Sequence, residues 1–193
     1  MSKVFVTADL HLNHTNIIKY CGRPFSSVED MNRTILDNWY STISEEDTVY
    51  ILGDFWWNPR KEYPLYQEFF TDMGYPGSPP GKKILIRGNH DKAIDEWLFD
   101  MVYDLYTISI DIGEGYPVPL VMSHYAMRVW DCSHYGSFHL FGHSHGTLDG
   151  YGRSIDVGVD TNEFKPYLLT DVVERLLDID YRLTHGVGKE ISK

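Results

Sequence analysis

Five short groups of acidic, amide and imidazole side chains recur along this 193-residue chain: Asp9-x-His11, Gly53-Asp54, Gly88-Asn89-His90-Asp91, Ser123-His124 and Gly142-His143-Ser144-His145. Carboxylate, amide and imidazole donors are hard or borderline ligands suited to Mn, Fe, Zn or Ni, and no cysteine stands among them as in a structural zinc site. Each group alone reads as a helix cap beside a satisfied histidine. The ordered set reads instead as a two-metal hydrolytic centre, in which ions about 3.5–4 Å apart lower the pKa of a shared water and clamp phosphoryl oxygens during in-line attack.

Such a centre needs elements that bring distant residues together. The first three groups each follow an apolar, β-branched run, at 3–8, 47–52 and 82–87, which reads as a buried strand. In open α/β sheets ligands bind at the carboxyl ends of strands, so separate strand ends can deliver side chains to one volume. Between the first two strands, Ser26-Ser27-Val28-Glu29-Asp30 has capping-box spacing, and Val28, Met31, Ile35 and Trp39 recur at helical intervals to about Ser41. A second helix is expected over 62–73, followed by a Gly/Pro-rich loop over 74–81 that is expected to border the site. A short helix is expected over 93–99. The later runs, 106–110, 119–123, 137–141 and 153–159, look hairpin-rich and point to two sheets rather than one doubly wound sheet. Thr170 is expected to cap a final helix through Leu176, and residues from about 186 read as a flexible tail.

In this order the five motifs, spanning residues 9–145, resemble those of the calcineurin-like metallophosphoesterase superfamily. The resemblance implies an α/β (α+β) fold, a four-layer α/β/β/α sandwich with two mixed β-sheets flanked by helices. It implies one divalent ion on Asp9, His11, Asp54 and His145 and a second on Asp54, Asn89, His124 and His143, with Asp54 bridging. Manganese leads as the metal, with Fe, Zn and Ni as alternatives. It further implies hydrolysis of a small phosphate ester by a hydroxide shared between the ions, with His90 contacting the phosphate and protonating the leaving oxygen.

Departures from the superfamily pattern narrow the activity. In its protein serine/threonine phosphatases the Gly-Asp motif continues to a second Asp followed by Arg-Gly, and that Asp orients the catalytic histidine. Here Gly53-Asp54 continues as Phe55-Trp56-Trp57-Asn58. Trp57 stands at that position, which disfavours a protein phosphatase and leaves Asp91 as a weak substitute for orienting His90. The extended start, Asp9 to Ile18, resembles small bacterial and phage-type phosphoesterases. His14 reads equally as a solvated helix residue or a substrate contact. Arg23 and Arg128 are candidate phosphate contacts, because guanidinium forks match phosphate oxygens. Trp56, Trp57, Tyr125 and Trp130 are either core residues or stacking faces for a nucleobase. The reading is a phosphodiesterase, with cyclic and linear nucleotides among its candidate substrates and a phosphomonoesterase as the alternative. A nuclease and an inactive metal-binding scaffold rank lower.

Composition bounds the rest. A net charge of −11, from 28 acidic against 17 basic residues, argues against a groove that tracks a long nucleic-acid backbone. The length, with 42% hydrophobic residues, suits one metallophosphoesterase domain over 1–193. No apolar stretch approaches about 18 residues, and the chain enters a strand too soon for a signal peptide. Cys21 and Cys132 lie in no paired motif and read as free thiols. The expectation is a cytoplasmic enzyme for a small phosphorylated substrate, with neither a membrane nor an extended nucleic acid as partner.

Overall fold

The three expected strands form as β1 (Val4–Thr7), β2 (Thr48–Ile51) and β3 (Lys82–Ile86). They pair in parallel, with Phe5 opposite Val49 and Val49 opposite Lys83. The structure is a computed structural model and describes residues 2–57, 66–91, 96–113 and 115–182. Positions 62–65 of the second expected helix, 93–95 of the third and the expected tail from 186 lie outside the described residues. Of those helices, α3 (Tyr66–Asp72) and a short 3-10 turn at Glu96–Leu98 are described. A shorter helix, α1 (Thr15–Tyr20), follows the first motif.

Both faces of the parallel strands are covered, which is why they read as continuous apolar runs. On one face lies α2 (Val28–Thr42), whose start is fixed by the Oγ of Ser27 accepting from the Asp30 amide at 3.1 Å. It buries Met31, Ile35, Leu36 and Trp39 in one cluster with Phe5, Val49, Ile51 and Leu85, joined by Phe69 and Phe70 of α3. Each such side chain contributes about 1.5–3 kcal/mol when buried. The Gly/Pro-rich loop belongs to this layer and not to the site. Trp39 donates its indole N–H to the Pro80 carbonyl at 2.9 Å, the Tyr40 hydroxyl donates to Gly77 at 2.6 Å, and the Tyr75 ring stacks on Tyr40. The loop enters β3 at its amino end, opposite to the end that carries Gly88-Asn89-His90-Asp91.

On the other face, Val6, Ala8, Tyr50, Leu52, Ile84 and Ile86 meet a second sheet. It consists of β5 (Tyr106–Asp111), β6 (Pro117–Met122), β7 (Phe138–Phe141) and β8 (Ser154–Asp156), in that spatial order. The hairpin-rich expectation holds for β5 and β6 alone, because β6–β7 and β7–β8 are parallel. Parallel neighbours need long crossovers, and these are the segments that carry the His124 and His143–His145 motifs away from their strands. Two short strands complete the first sheet, β4 (Met101–Tyr103) beside β3 and β9 (Tyr167–Leu168) antiparallel to β1. The helix α4 (Leu169–Leu177) continues directly from β9. Leu168 occupies its N-cap with no side-chain cap bond, so Thr170 lies inside the first turn and is not the expected cap. Its buried face, Val172, Val173 and Leu176, joins the cluster between the sheets. The architecture is two mixed sheets flanked by helices. Among the described residues no helix is long and apolar enough to cross a membrane, and Cys21 and Cys132 are free thiols.

One histidine outside the motifs is fully buried. His139 on β7 lies 3.0 Å from the Val121 carbonyl through Nδ1 and accepts from the Met127 amide at 3.0 Å through Nε2, an arrangement that assigns the proton to Nδ1. Burial lowers its pKa to about 4, whereas an unfolded histidine titrates near 6.5. Between those values the unfolded chain binds the extra proton, so stability present above pH 6.5 is lost as pH falls toward 4. In chelator-treated protein, wild type is expected to lose on the order of 2–3 kcal/mol more than His139→Gln over that interval. Chemical denaturation at each pH measures the difference; equal pH slopes would contradict the assignment.

Candidate metal centre

The parallel pairing of β1 and β2 continues past both strands and carries the first two motifs side by side. The Asp9 amide donates to Gly53 O at 3.0 Å, His11 to Asp54 O at 2.9 Å and Trp57 to Leu12 O at 2.8 Å. The chain turns sharply at the motif residues, with left-handed φ values at Asp9 (57°), His11 (49°), Asp54 (53°), His143 (66°) and His145 (48°). Such conformations cost roughly 1–3 kcal/mol each and concentrate where ligands are held. The motif glycines have a steric reason. A Cβ on Gly142 would lie 2.6 Å from Cβ of Ala8 and 2.8 Å from Oδ2 of Asp9, and one on Gly88 would run into the Asp54 carboxylate.

Hydrogen bonds then fix which donor atoms remain free. Oδ2 of Asp9 accepts the His143 amide at 2.7 Å, and Oδ1 of Asp54 accepts the His90 amide at 2.9 Å. Oδ2 of Asp54 is left 3.5 Å from Nε2 of His11 and 3.5 Å from Nε2 of His124. Two donors bonded to one ion at about 2.1 Å with ordinary bond angles stand roughly 3.0–3.4 Å apart. Asp54 thus reaches donor atoms on both His11 and His124. Asp9, His11 and His145 form one cluster, and Asp54, His124 and His143 form another. Oδ1 of Asn89 lies 3.1 Å from Nε2 of His124. His90 groups with His11 and Asp54 but stands farther out, its Nε2 3.9 Å from Oδ2 of Asp54.

These residues fit cations on their own chemistry. Oδ1 of Asp9 and Nε2 of His11 are buried and have no hydrogen-bond partner among the described residues, a state costing about 1–3 kcal/mol per atom unless something else supplies the contact. Burial, with Asp54 and Asp156 nearby, pushes the Asp9 carboxyl well above its usual range, and burial holds His11 well below the normal imidazole value. Nδ1 of His124 faces the Leu52 carbonyl at 2.8 Å and Nδ1 of His145 faces Oδ2 of Asp160 at 2.7 Å. Each contact assigns the proton to Nδ1 and leaves the Nε2 lone pair for a metal.

A model of the calcineurin-like phosphoesterases matches residues 2–187. The chain belongs to that family. Over 188 residues it is 32% identical to an uncharacterized protein, MJ1445, of Methanocaldococcus jannaschii, covering 92% of this chain and 93% of that one. It is 33% identical over 91 residues to the gene 66 protein of Mycobacterium phage L5, across 47% of this chain and 41% of the phage protein. The crystal structure of AQ665 from Aquifex aeolicus, a protein of unknown function, superposes with a TM-score of 0.66 at 25% identity, over 91% of this chain and all of that one. This calcineurin-like phosphoesterase is a phosphoric ester hydrolase, and its Asp/His clusters suit the divalent ions with which the family works.

Several residues of this calcineurin-like phosphoesterase take roles that differ from those expected. The Asp91 carboxylate accepts the amides of Asp54, Gly88 and Phe55 at 2.7, 2.8 and 3.2 Å. It ties the second motif to the third and does not orient His90. Arg23 is buried and points inward, so it is not placed for the expected phosphate contact: its guanidinium donates to both Asp160 oxygens at 2.8 Å, to Asp9 O at 2.6 Å and to Leu10 O at 3.1 Å. Arg128 is exposed and lies over the Tyr151 ring at 3.5 Å, and no contact joins it to the clusters among the described residues. His14 is buried rather than solvated, its Nδ1 3.1 Å from Nδ1 of His11, and burial, with His90 nearby, lowers its pKa to about 4. Trp56 and Trp130 pack in the interior, whereas Tyr125 is 52% exposed with its ring edge-on to His124 and His143.

Two acids escaped the sequence reading. Asp156 accepts from the Ser144 hydroxyl, the Gly146 amide and the Gly158 amide at 2.6, 2.9 and 2.7 Å, and so shapes the Gly-His-Ser-His loop. Asp160 lies between His145 and Arg23; burial opposes its charge, yet hydrogen bonds from both keep its carboxyl below the usual range. Their signal was positional: Asp156 ends β8 and Asp160 follows four residues later, near a strand end like the motif acids. Asp160→Asn is expected to weaken metal binding about 10- to 100-fold, the usual effect of losing a partner that orients a ligand. It should also lower thermal stability, because buried Arg23 loses its counter-charge. Metal titration and a melting curve measure the two effects; unchanged metal affinity would remove Asp160 from this role.

Proposed function

We propose that Asp9, His11, Asp54 and His145 hold one divalent ion, that Asp54, Asn89, His124 and His143 hold a second, and that His90 protonates the leaving oxygen of a small phosphate ester. The observation that carries this reading is Oδ2 of Asp54 standing 3.5 Å from the Nε2 atoms of both His11 and His124, together with the buried Oδ1 of Asp9 that has no hydrogen-bond partner among the described residues. Two ions bound there would lower the pKa of a shared water and neutralise the phosphoryl oxygens. The chain's own contribution is to fix the donors, leave Nε2 of His124 and His145 free by placing an acceptor at each Nδ1, and hold His90 farther out beside the cluster. Manganese suits this oxygen- and imidazole-rich donor set, with Fe, Zn and Ni as alternatives.

A phosphodiester is the favoured substrate, with nucleotides, cyclic or linear, as the class to screen. The lean rests on Trp57 in place of the acid that protein phosphatases carry, and on Tyr125, whose exposed ring beside His124 and His143 offers a stacking face for a nucleobase. Chelator-treated enzyme assayed on bis(p-nitrophenyl) phosphate and p-nitrophenyl phosphate, with and without Mn²⁺, tests this. Metal-dependent cleavage favouring the diester supports it, preference for the monoester turns the reading to a phosphomonoesterase, and no cleavage of either overturns it.

A further inference from the structure

His90 has no hydrogen-bonding acceptor for its ring among the described residues, although a proton donor must be aimed. Its side chain is 29% exposed, and the nearest carboxylate oxygen, on Asp54, is 3.9 Å away. What touches the ring is aromatic. The Trp57 indole meets it edge to face at 4.7 Å and 82°, with His11 at 5.3 Å and His14 at 5.9 Å also roughly perpendicular.

Trp57 is itself held on two sides. Its amide donates to Leu12 O at 2.8 Å, and its ring stacks on His14 at 4.5 Å and 19°. His14 is in turn fixed by the 3.1 Å contact between its Nδ1 and that of His11. The rings of His11, His14, Trp57 and His90 therefore pack as one cluster that joins a candidate ligand to the candidate proton donor.

We propose that Trp57, backed by His14, is the positioning residue for His90: ring packing sets the imidazole's direction where a carboxylate hydrogen bond is lacking. The proposal rests on the reading of His90 as the proton donor. An edge-to-face aromatic pair limits the ring to one orientation and constrains the side chain without adding a charge beside the phosphate. The expected effect of losing the pair is a roughly 3- to 10-fold fall in kcat, the size of one aromatic contact.

Wild type, Trp57→Ala and Trp57→Phe would be compared in two ways. The His90 ring resonances, assigned by their absence in His90→Gln, are recorded by NMR on metal-free protein. Kinetics on an alkyl phosphodiester and on bis(p-nitrophenyl) phosphate follow, at equal metal content. In Trp57→Ala the His90 resonances should shift and kcat on the alkyl ester should fall, with KM and the p-nitrophenyl reaction little changed, and Trp57→Phe should recover most of the loss. Unmoved resonances, or moved resonances with wild-type alkyl-ester kinetics, overturn the positioning role. A His90→Gln enzyme without leaving-group dependence overturns the proton-donor reading instead, and this proposal with it.

Discussion

Asp54→Asn is expected to empty both metal positions, whereas Asp9→Asn should empty one. Oδ1 of Asp54 is engaged by the His90 amide, so in the variant the amide oxygen keeps that bond and the –NH₂ group turns to where Oδ2 stood, 3.5 Å from both His11 and His124. A donor with partial positive charge then faces the two ion positions in place of an anionic oxygen shared between them. Loss of a partner that only orients a ligand already costs 10- to 100-fold in affinity, so loss of a shared ligand is expected to cost at least about 100-fold for each ion. Elemental analysis after gel filtration, with calorimetric titration of the stripped variants, measures this. An Asp54→Asn protein that keeps both ions would falsify the bridging assignment. The fold should survive, because the Asp54 amide remains bonded to Asp91.

The asymmetry between those two variants reflects what the sequence could and could not announce. The motif residues were legible because the chemistry demands donors at strand ends and the strands announce themselves as apolar runs: Asp9, Asp54 and Asn89 follow β1, β2 and β3 within a few residues. The geometry brings Asp9, His11, Asp54, His124, His143 and His145 into adjoining groups. What failed was whatever depends on partners distant in the chain. Arg23 looks like a phosphate ligand until Asp160, 137 residues later, claims its guanidinium. Asp91 looks free to orient His90 until three backbone amides converge on it. The parallel pairing of β6, β7 and β8 was hidden because local alternation cannot tell a hairpin from a crossover. Strands as short as β4 and β9 leave no periodicity to read.

The second large effect concerns His90, and it should appear only with a reluctant leaving group. His90→Gln removes the imidazole but keeps the backbone amide that holds Oδ1 of Asp54, so metal content is expected to stay at the wild-type level. General acid catalysis contributes about 10²–10⁴-fold when the departing oxygen needs a proton. The alkyl phosphodiester should therefore lose rate by that factor. Bis(p-nitrophenyl) phosphate, whose phenolate leaves without help, should lose less than about tenfold. The ratio of the two losses isolates proton donation from any part His90 plays in holding the phosphate, since a lost phosphate contact slows both esters alike. Equal losses on the two esters would make His90 a binding residue and leave the proton to solvent. Unequal losses tie the reaction to the His90 imidazole, which stands farther out than the candidate ligands and packs against the rings of Trp57 and His11.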